Sequence, residues 1–490
     1  MNCDAGLDLF VMSNGSLACG KTQHKDWIVY TPNINYWTDV FNGDDASSVR
    51  KRLRDNQMPF GDECIGCTVL NEAHQAPSPR TNRPFIHTLE VEPSVACNIS
   101  CTACETIENR KNYRVAHKHG HTILDIDIFR KILEDLSTHV DVGTIEFQGW
   151  GEPTLNRRIG DMSRISKSCF PNAKVQLVTN AQGKHQNWSF DHAFDAIVYS
   201  VDGVDQQSYS QYRDGANFDQ AREYMRTQIA TAKAASKSVK HTWKYIVFDH
   251  TDSDEQLTKL LNFANEAGID EIRLTFTQYG PVSRRFFPAA QVLRNITSDR
   301  SLCDVNDTIS FRRALAEIDK AGIRLPLPKS YFDAPDGMVT FSVVMSPASN
   351  IKANVSIIKQ HLTDGNIDEA RRFLVRGMLM LHRLYGCIGY QWISPEDQQT
   401  ADELETLSAT IPKAKLDGFY KCYADLRPDR FRIIQLTEQC RNDSEAQRRV
   451  AELEAENTIL QKQLQDLINS NSWKITAPIR KMKKLISGDR

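Results

Sequence analysis

Three cysteines, Cys97, Cys101 and Cys104, share one short stretch, with gaps of three residues and then two. Thiolates at this spacing can hold three irons of a cubane [4Fe–4S] cluster, which normally takes four protein ligands. Three on one loop leave the fourth iron for a small molecule to chelate. A zinc loop is the alternative, but zinc sites usually combine two CxxC-type pairs and close at four ligands. About 45 residues further on, the apolar run at Ile145–Phe147 enters Gly149-Trp150-Gly151-Glu152-Pro153. Glycines let backbone approach a ligand closely; an ordinary Gly-Pro turn is the other interpretation.

These residues need a scaffold, and the pattern around them supplies one. Apolar, β-branched runs alternate with helical stretches, the sign of a parallel sheet. Strands are predicted at Phe85–Val91, Thr144–Phe147, Val175–Thr179, Ala196–Ser200, Thr242–Phe248 and Glu271–Phe276. Helices are predicted at Ile126–Ser137, Arg157–Ser168, Phe218–Ala234 and Ser253–Ala267. Polar residues follow the strands: Thr179-Asn180, Ser200-Val201-Asp202-Gly203, and then Arg213. In β/α barrels, ligands sit at the carboxyl ends of the strands. Each of these residues is equally compatible with a turn or a helix cap.

The cysteine loop, the Gly149–Pro153 segment and the polar strand ends together resemble the radical S-adenosylmethionine (SAM) superfamily. The resemblance implies an α/β fold with a partial (β/α)6 TIM-type barrel over residues 81–285. It implies that Cys97, Cys101 and Cys104 ligate a [4Fe–4S] cluster whose open iron is chelated by SAM. Gly149, Gly151, Glu152 and Pro153 match the GGEP-type motif that meets the SAM amino group, with Trp150 between the glycines as a departure. Asn180 lies in a TNG-like segment in which Ala181 and Gln182 replace the glycine. Ser200 and Asp202 match an S-x-DG segment, and Arg213 takes the place of an arginine that pairs with the SAM carboxylate. A guanidinium fork suits a carboxylate because it can bind both oxygens. The implied mechanism is reductive. An electron from a donor such as flavodoxin or ferredoxin enters the cluster, and SAM is cleaved to methionine and a 5′-deoxyadenosyl radical. That radical takes hydrogen from a substrate carbon. The sequence names no catalytic acid or base.

Residues 1–80 hold a second set of cysteines: Cys3, Cys19, and Cys64 and Cys67 in a CxxC. Asn14-Gly15 between apolar runs is a hairpin signal that could bring Cys3 and Cys19 together. Trp37, Val49, Arg50 and Leu53 mark a helix. The order and spacing resemble SPASM or twitch modules, which implies a second, auxiliary [4Fe–4S] cluster, structural or electron-accepting; an electron-accepting cluster would make the net reaction an oxidation. In most relatives the module follows the barrel, whereas here it precedes it. A zinc ribbon or a redox CxxC are the alternatives.

The chain has 490 residues, a formal charge of −2, 40% hydrophobic and 25% charged residues. This balance gives no general pull toward nucleic acid and is large enough for two to four domains. No signal-peptide pattern and no membrane-span-length apolar run is visible. Reduced thiolates place the protein in the cytoplasm. The remaining cysteines, Cys169, Cys303, Cys387, Cys422 and Cys440, show no metal spacing, and His117, His119 and His121 suit a solvated loop.

Residues 286–440 are expected to form a largely helical accessory region, with a helix near Phe311–Ala321, an apolar strand at Met338–Met345, and helix over 351–390. Residues 441–470 carry heptads, with Val450, Asn457 and Leu464 at a and leucines at d. Leucine at d and one polar a residue favour a parallel dimer in register, so a homodimer through 450–467 is expected; a helix packed on its own chain is the alternative. Residues 471–490 are basic with interleaved apolar residues and resemble the tail of many surface-polysaccharide glycosyltransferases. Such a segment can lie on an anionic membrane, so 472–490 is expected to touch the inner membrane face, a solvated tail or docking peptide being the alternatives. The tail points to a small-molecule or glycan substrate in cell-surface glycan synthesis. A peptide- or protein-modifying enzyme and a non-catalytic iron–sulfur scaffold are the rival assignments.

Overall fold

Alternation of apolar and polar residues builds the sheet that carries the site. The computed structural model describes residues 9–18, 26–28, 31, 33–55, 57, 83–101, 123–149, 151–183, 194–277, 282–297, 308–344, 348–385 and 395–412. Cys3, Cys19, Cys64, Cys67, Cys104, Trp150, the 441–470 heptads and the 471–490 tail lie outside the described residues.

The chain opens with β1 (Leu9–Val11), β2 (Leu17–Ala18) and β3 (Asp26–Ile28), then a π-helical turn at Tyr36–Phe41 and helix α1 (Asp44–Arg54). The Asn14-Gly15 hairpin is present: β1 and β2 pair antiparallel, Phe10 opposite Ala18, and Gly15 takes φ +82°. Trp37 lies in the π-helical turn before α1 and stacks on His139 at 4.3 Å between ring centroids.

The core follows: β4 (Phe85–Val91), β5 (Ser100–Cys101), α2 (Ile126–Ser137), β6 (Asp141–Phe147), α3 (Ile159–Cys169), β7 (Lys174–Thr179) and β8 (Ala196–Ser200). It continues with α4 (Gln206–Ser210), β9 (Arg213–Asp214), α5 (Phe218–Ala234), β10 (Lys240–Ile246), α6 (Asp254–Ala267) and β11 (Glu271–Thr277). Side-chain caps start the helices: Asp125 accepts from the amides of Asp127 and Ile128, Asn217 from Gln220, and Ser253 from Gln256. Such caps satisfy amides that have no partner within the helix.

Strands β4, β6, β7, β8, β10 and β11 lie side by side in chain order, all parallel. The fold is therefore α/β with a mostly parallel sheet. The sheet also extends past the expected core at both ends. β1 joins β4 in parallel at one end. After α7 (Phe287–Thr297), β12 (Ile309–Ser310), α8 (Phe311–Lys320) and α9 (Lys329–Phe332), strand β13 (Val339–Val344) pairs in parallel with β11. The apolar strand expected at Met338–Met345 thus belongs to the same sheet as the residues before 285. Phe341 of β13 stacks on Phe276 of β11 and on Phe311 of α8.

One face of the sheet is apolar. Ile145, Phe147, Val175, Leu177, Tyr199, Trp243, Tyr245, Ile272 and Leu274 are buried there with Leu133, Met162, Met225 and Leu257 of the helices. Residues one position away point to the opposite face. Lys174 of β7 lies on that face, where burial and then Lys240 and Arg273 lower the pKa of its ammonium against Glu146 and Glu271.

Three further helices, α10 (Ala348–Thr363), α11 (Ile367–Tyr385) and α12 (Pro395–Ser408), pack together around buried Ile358, Leu374, Met378 and Leu404.

Candidate functional site

Cys97 and Cys101 sit on the loop that leaves β4. Neither forms a disulfide, and both are partly exposed. The loop is pinned from two directions. β5 pairs antiparallel with β9, which sets Cys101 opposite Arg213. Arg213 Nη1 lies 3.7 Å from Cys101 Sγ. On the other side, Asn180, which follows β7, places its Nδ2 3.7 Å from Cys97 Sγ and donates to Asn98 Oδ1 at 2.8 Å. Asn98 in turn donates to the Gln182 carbonyl at 2.8 Å. Cys97 and Cys101 therefore each face an N–H donor. Soft sulfur ligands with N–H groups aimed at them suit a cluster or a soft metal, and such donors tune its potential. Among the described residues, no group of three metal-binding side chains occurs.

The turn after β6 locks this loop from below. A Cβ on Gly151 would stand 2.2 Å from the Ser94 carbonyl oxygen and 2.4 Å from that of Ala96. A Cβ on Gly149, at φ +147°, would instead meet the Glu92 side chain, at 2.6–2.9 Å. Gly151 is thus needed for close approach of one backbone to another, at the segment leading into Cys97. The Glu152 amide donates to the Ala96 carbonyl at 2.8 Å. The Glu152 carboxylate turns inward and accepts from Thr179 Oγ1 at 2.7 Å, the Asn180 amide at 2.7 Å and the Thr154 amide at 3.1 Å. Burial pushes its pKa up, against the pull of these donors. Glu152 therefore joins the ends of β6 and β7 and positions Asn180, while Pro153 opens a short 3-10 turn. Next to Asn180, Ala181 adopts φ +57°, the left-handed region that favours glycine.

Ser200 ends β8, and Asp202 and Arg213 form a buried ion pair beyond it. Asp202 Oδ2 accepts from Arg213 Nε and Nη2, both at 2.6 Å, and Asp202 Oδ1 accepts from the Ile246 amide at 2.8 Å. Asp202 is 0% exposed and Arg213 8%. Burial works against the guanidinium's charge, yet Asp202 and the Cys101 sulfur hold it firmly protonated. The structure therefore brings together Cys97, Cys101, Gly151, Glu152, Asn180, Asp202 and Arg213 around one loop.

Sequence inspection overlooked the inner face of the sheet. Along this face apolar positions such as Val178, Ala196 and Val198 are interspersed with polar ones. Glu146, Gln176, Ser200, Lys244, Arg273 and Ser342 occupy β6, β7, β8, β10, β11 and β13. Gln176 Nε2 donates to Glu146. Lys244 lies between Ser200 and Arg273 in register. Burial lowers the pKa of its ammonium, Arg273 and Arg213 lower it further, and Asp202 and Glu146 oppose them. Glu271 has the opposite balance: burial raises its carboxyl, but Arg273, Lys240 and Thr340 together bring it below the usual range. The signal was present, because parallel strands buried on both faces read as continuous apolar runs, whereas Glu271-Ile272-Arg273-Leu274-Thr275 alternates.

No protein-family model matches the chain, and no curated protein matches it in sequence. Among solved structures, it is similar to SuiB of Streptococcus suis bound to S-adenosylmethionine, with 15% identity over 70% of this chain and 73% of that one, at a TM-score of 0.34. It is also similar to BtrN in complex with AdoMet and 2-DOIA, with 19% identity over 28% and 50%, at a TM-score of 0.21. A third is the cobalamin-dependent S-adenosylmethionine radical enzyme OxsB with aqua-cobalamin and S-adenosylmethionine bound, with 15% identity over 79% and 56%, at a TM-score of 0.25.

Proposed function

We propose that this chain is a radical SAM enzyme. The observation that carries the proposal is the cysteine loop itself, with Cys97 and Cys101 each facing an N–H donor at the carboxyl ends of parallel strands. Cys97, Cys101 and Cys104 would hold a [4Fe–4S] cluster. When bound, the cluster supplies the electron that reductively cleaves SAM and so starts hydrogen abstraction from a substrate carbon. The chain's own residues orient these parts. Asn180 and Arg213 aim N–H groups at the ligating sulfurs. Asp202 holds the guanidinium in place, leaving its Nη1 edge for sulfur and for an incoming carboxylate. Glu152 fixes the strand ends beneath. The polar inner wall suits a hydrophilic substrate, and the C-terminal tail favours a carbohydrate of cell-surface glycan synthesis. Cys3, Cys19, Cys64 and Cys67 would hold an auxiliary cluster, 450–467 a dimer contact and 472–490 a contact with the membrane surface. Among the described residues, no helix is long and apolar enough to cross a membrane.

The test is anaerobic reconstitution followed by dithionite and SAM, with 5′-deoxyadenosine quantified by mass spectrometry. Production that vanishes in Cys97→Ala, Cys101→Ala and Cys104→Ala supports the assignment. No production by iron-loaded protein that binds SAM, with or without a panel of sugar substrates, rejects it in favour of a non-catalytic scaffold.

A further inference from the structure

Lys244 and Arg273 are neighbours in register on β10 and β11. Trp243, Tyr245, Ile272 and Leu274 on either side are buried in the apolar core, so alternation turns Lys244 and Arg273 to the inner face. Neither packs solid: Lys244 keeps some accessible surface, and the Arg273 side chain is 11% exposed.

The carboxylates around them are already committed. Asp202 is held by Arg213 and the Ile246 amide. Glu146 is held by Gln176. Glu271 takes Arg273 Nε at 3.2 Å, Lys240 at 2.5 Å and Thr340 at 2.6 Å. Among the described residues, no carboxylate stands within ion-pair distance of the Lys244 ammonium, and Arg273 engages Glu271 through Nε. An enclosed ammonium with no carboxylate in contact is costly; Arg273 beside it adds to that cost, and Asp202 and Glu146 offset part of it from farther away. The same face of the sheet carries hydroxyls: Ser200 opposite Lys244, and Thr275 with Ser342 two residues beyond Arg273, their oxygens 2.9 Å apart. Two cations flanked by hydroxyls form a receptor for an oxyanion, since charge-assisted bonds to carboxylate or phosphate are the strong ones.

We propose that Lys244 and Arg273 hold an anionic group of the substrate, a phosphate or a carboxylate, on the face of the sheet opposite the apolar core. This rests on the radical SAM assignment only in taking that face as the substrate chamber. Arg213 bonds Asp202 and reaches Cys101, so it is committed elsewhere and leaves Lys244 and Arg273 as the cations for this anion.

The experiment is calorimetric titration of the reconstituted full-length protein, at low ionic strength, with inorganic phosphate, glucose 1-phosphate and glucuronate. Saturable binding is expected, at least about tenfold weaker in Lys244→Met and in Arg273→Met, which corresponds to ~1.4 kcal/mol. Lys244→Arg should restore it, and Arg273→Lys provides a charge-preserving variant should Arg273→Met fail to fold. Preference for glucose 1-phosphate over glucuronate assigns phosphate, and the reverse assigns carboxylate. No saturable binding of any of the three, or binding equal to wild type in both Met variants, overturns the proposal. SAM titration separates it from the assignment above: Lys244→Met should bind SAM like wild type, and loss of SAM binding would reassign the pair to SAM and overturn the substrate role. Failure of wild type to make 5′-deoxyadenosine, with anion binding intact, rejects the radical assignment and leaves the anion site standing.

Discussion

Gly151→Ala is the sharpest perturbation of the cysteine loop that leaves every thiol and donor in place. The new Cβ would stand 2.2 Å from the Ser94 oxygen, 2.4 Å from the Ala96 oxygen and 2.5 Å from the Val95 carbonyl carbon, where ordinary contact begins at 3.4 Å. All three atoms are backbone, so no rotamer change relieves the overlap. The loop must retreat by about 1 Å, and overpacking of this kind costs ~1–3 kcal/mol. The retreat also stretches the 2.8 Å bond from the Glu152 amide to Ala96, adding ~1 kcal/mol. A loss of ~3 kcal/mol lowers the unfolding midpoint by ~3 °C in a chain of this size. Because Cys97 follows Ala96 directly, its distance to Asn180 Nδ2 grows as well. The assay pairs thermal unfolding with iron content after anaerobic reconstitution. Gly183→Ala is the control, as its nearest neighbours are side-chain atoms at 3.4 Å and its cost should stay within ~0.5 kcal/mol. Equal midpoints and equal iron in the Gly151 and Gly183 variants would refute the idea that backbone contact holds the loop.

Arg213→Met strands the fully buried Asp202 and should cost ~3–5 kcal/mol, whereas Arg213→Lys keeps a charge there and should cost less; equal losses by urea denaturation would contradict the ion-pair geometry. Thr179→Val removes one donor from the buried Glu152 carboxylate and should cost ~1.5–3 kcal/mol; a neutral result would mean that Glu152 does not depend on that hydroxyl. Glu271 and Glu152 predict opposite pH effects. Glu271 binds its proton less readily when folded, so its contribution is present above the unfolded glutamate pKa and is lost as pH falls through the lower folded value. Glu152 is raised, so its contribution is present below the unfolded pKa and is lost as pH rises through the folded value. Urea midpoints measured from about pH 7 down to about pH 3 should decline less steeply in Glu271→Gln than in wild type, and an unchanged slope would refute the assigned role of Arg273 and Lys240.

Much of the scaffold can be read from residue order. Phe85–Val91 and Ala196–Ser200 are strands with the expected ends, and Ile126–Ser137 and Phe218–Ala234 are helices with the expected ends, because capping residues and apolar periodicity act locally. β13 was legible as a strand but not as a neighbour of β11, since 61 residues separate Thr277 from Val339 and pairing across such a gap leaves no local trace. The same holds at the site. Asn180 and Arg213 were legible from their places after strands, but their approach to sulfur depends on tertiary contacts. Glu152 was legible as a site residue, whereas its inward turn depends on Thr179 and Asn180 of the next strand. Lys244 and Arg273 leave little local trace, because a polar residue in an alternating strand looks the same whether its face meets solvent or lines a site.

The long-range ties to the cysteine loop also set an order of events during synthesis. Cys97 is made 83 residues before Asn180, and Cys101 is made 112 residues before Arg213. At translation rates of ~5–20 residues per second, the thiols are made roughly 4–22 s before the groups that face them. During that interval the nascent chain carries reactive sulfur with no finished pocket around it. Protection from oxidation and from stray metal must then come from the cell, and insertion of any cofactor at this loop belongs to the period after β9 has docked.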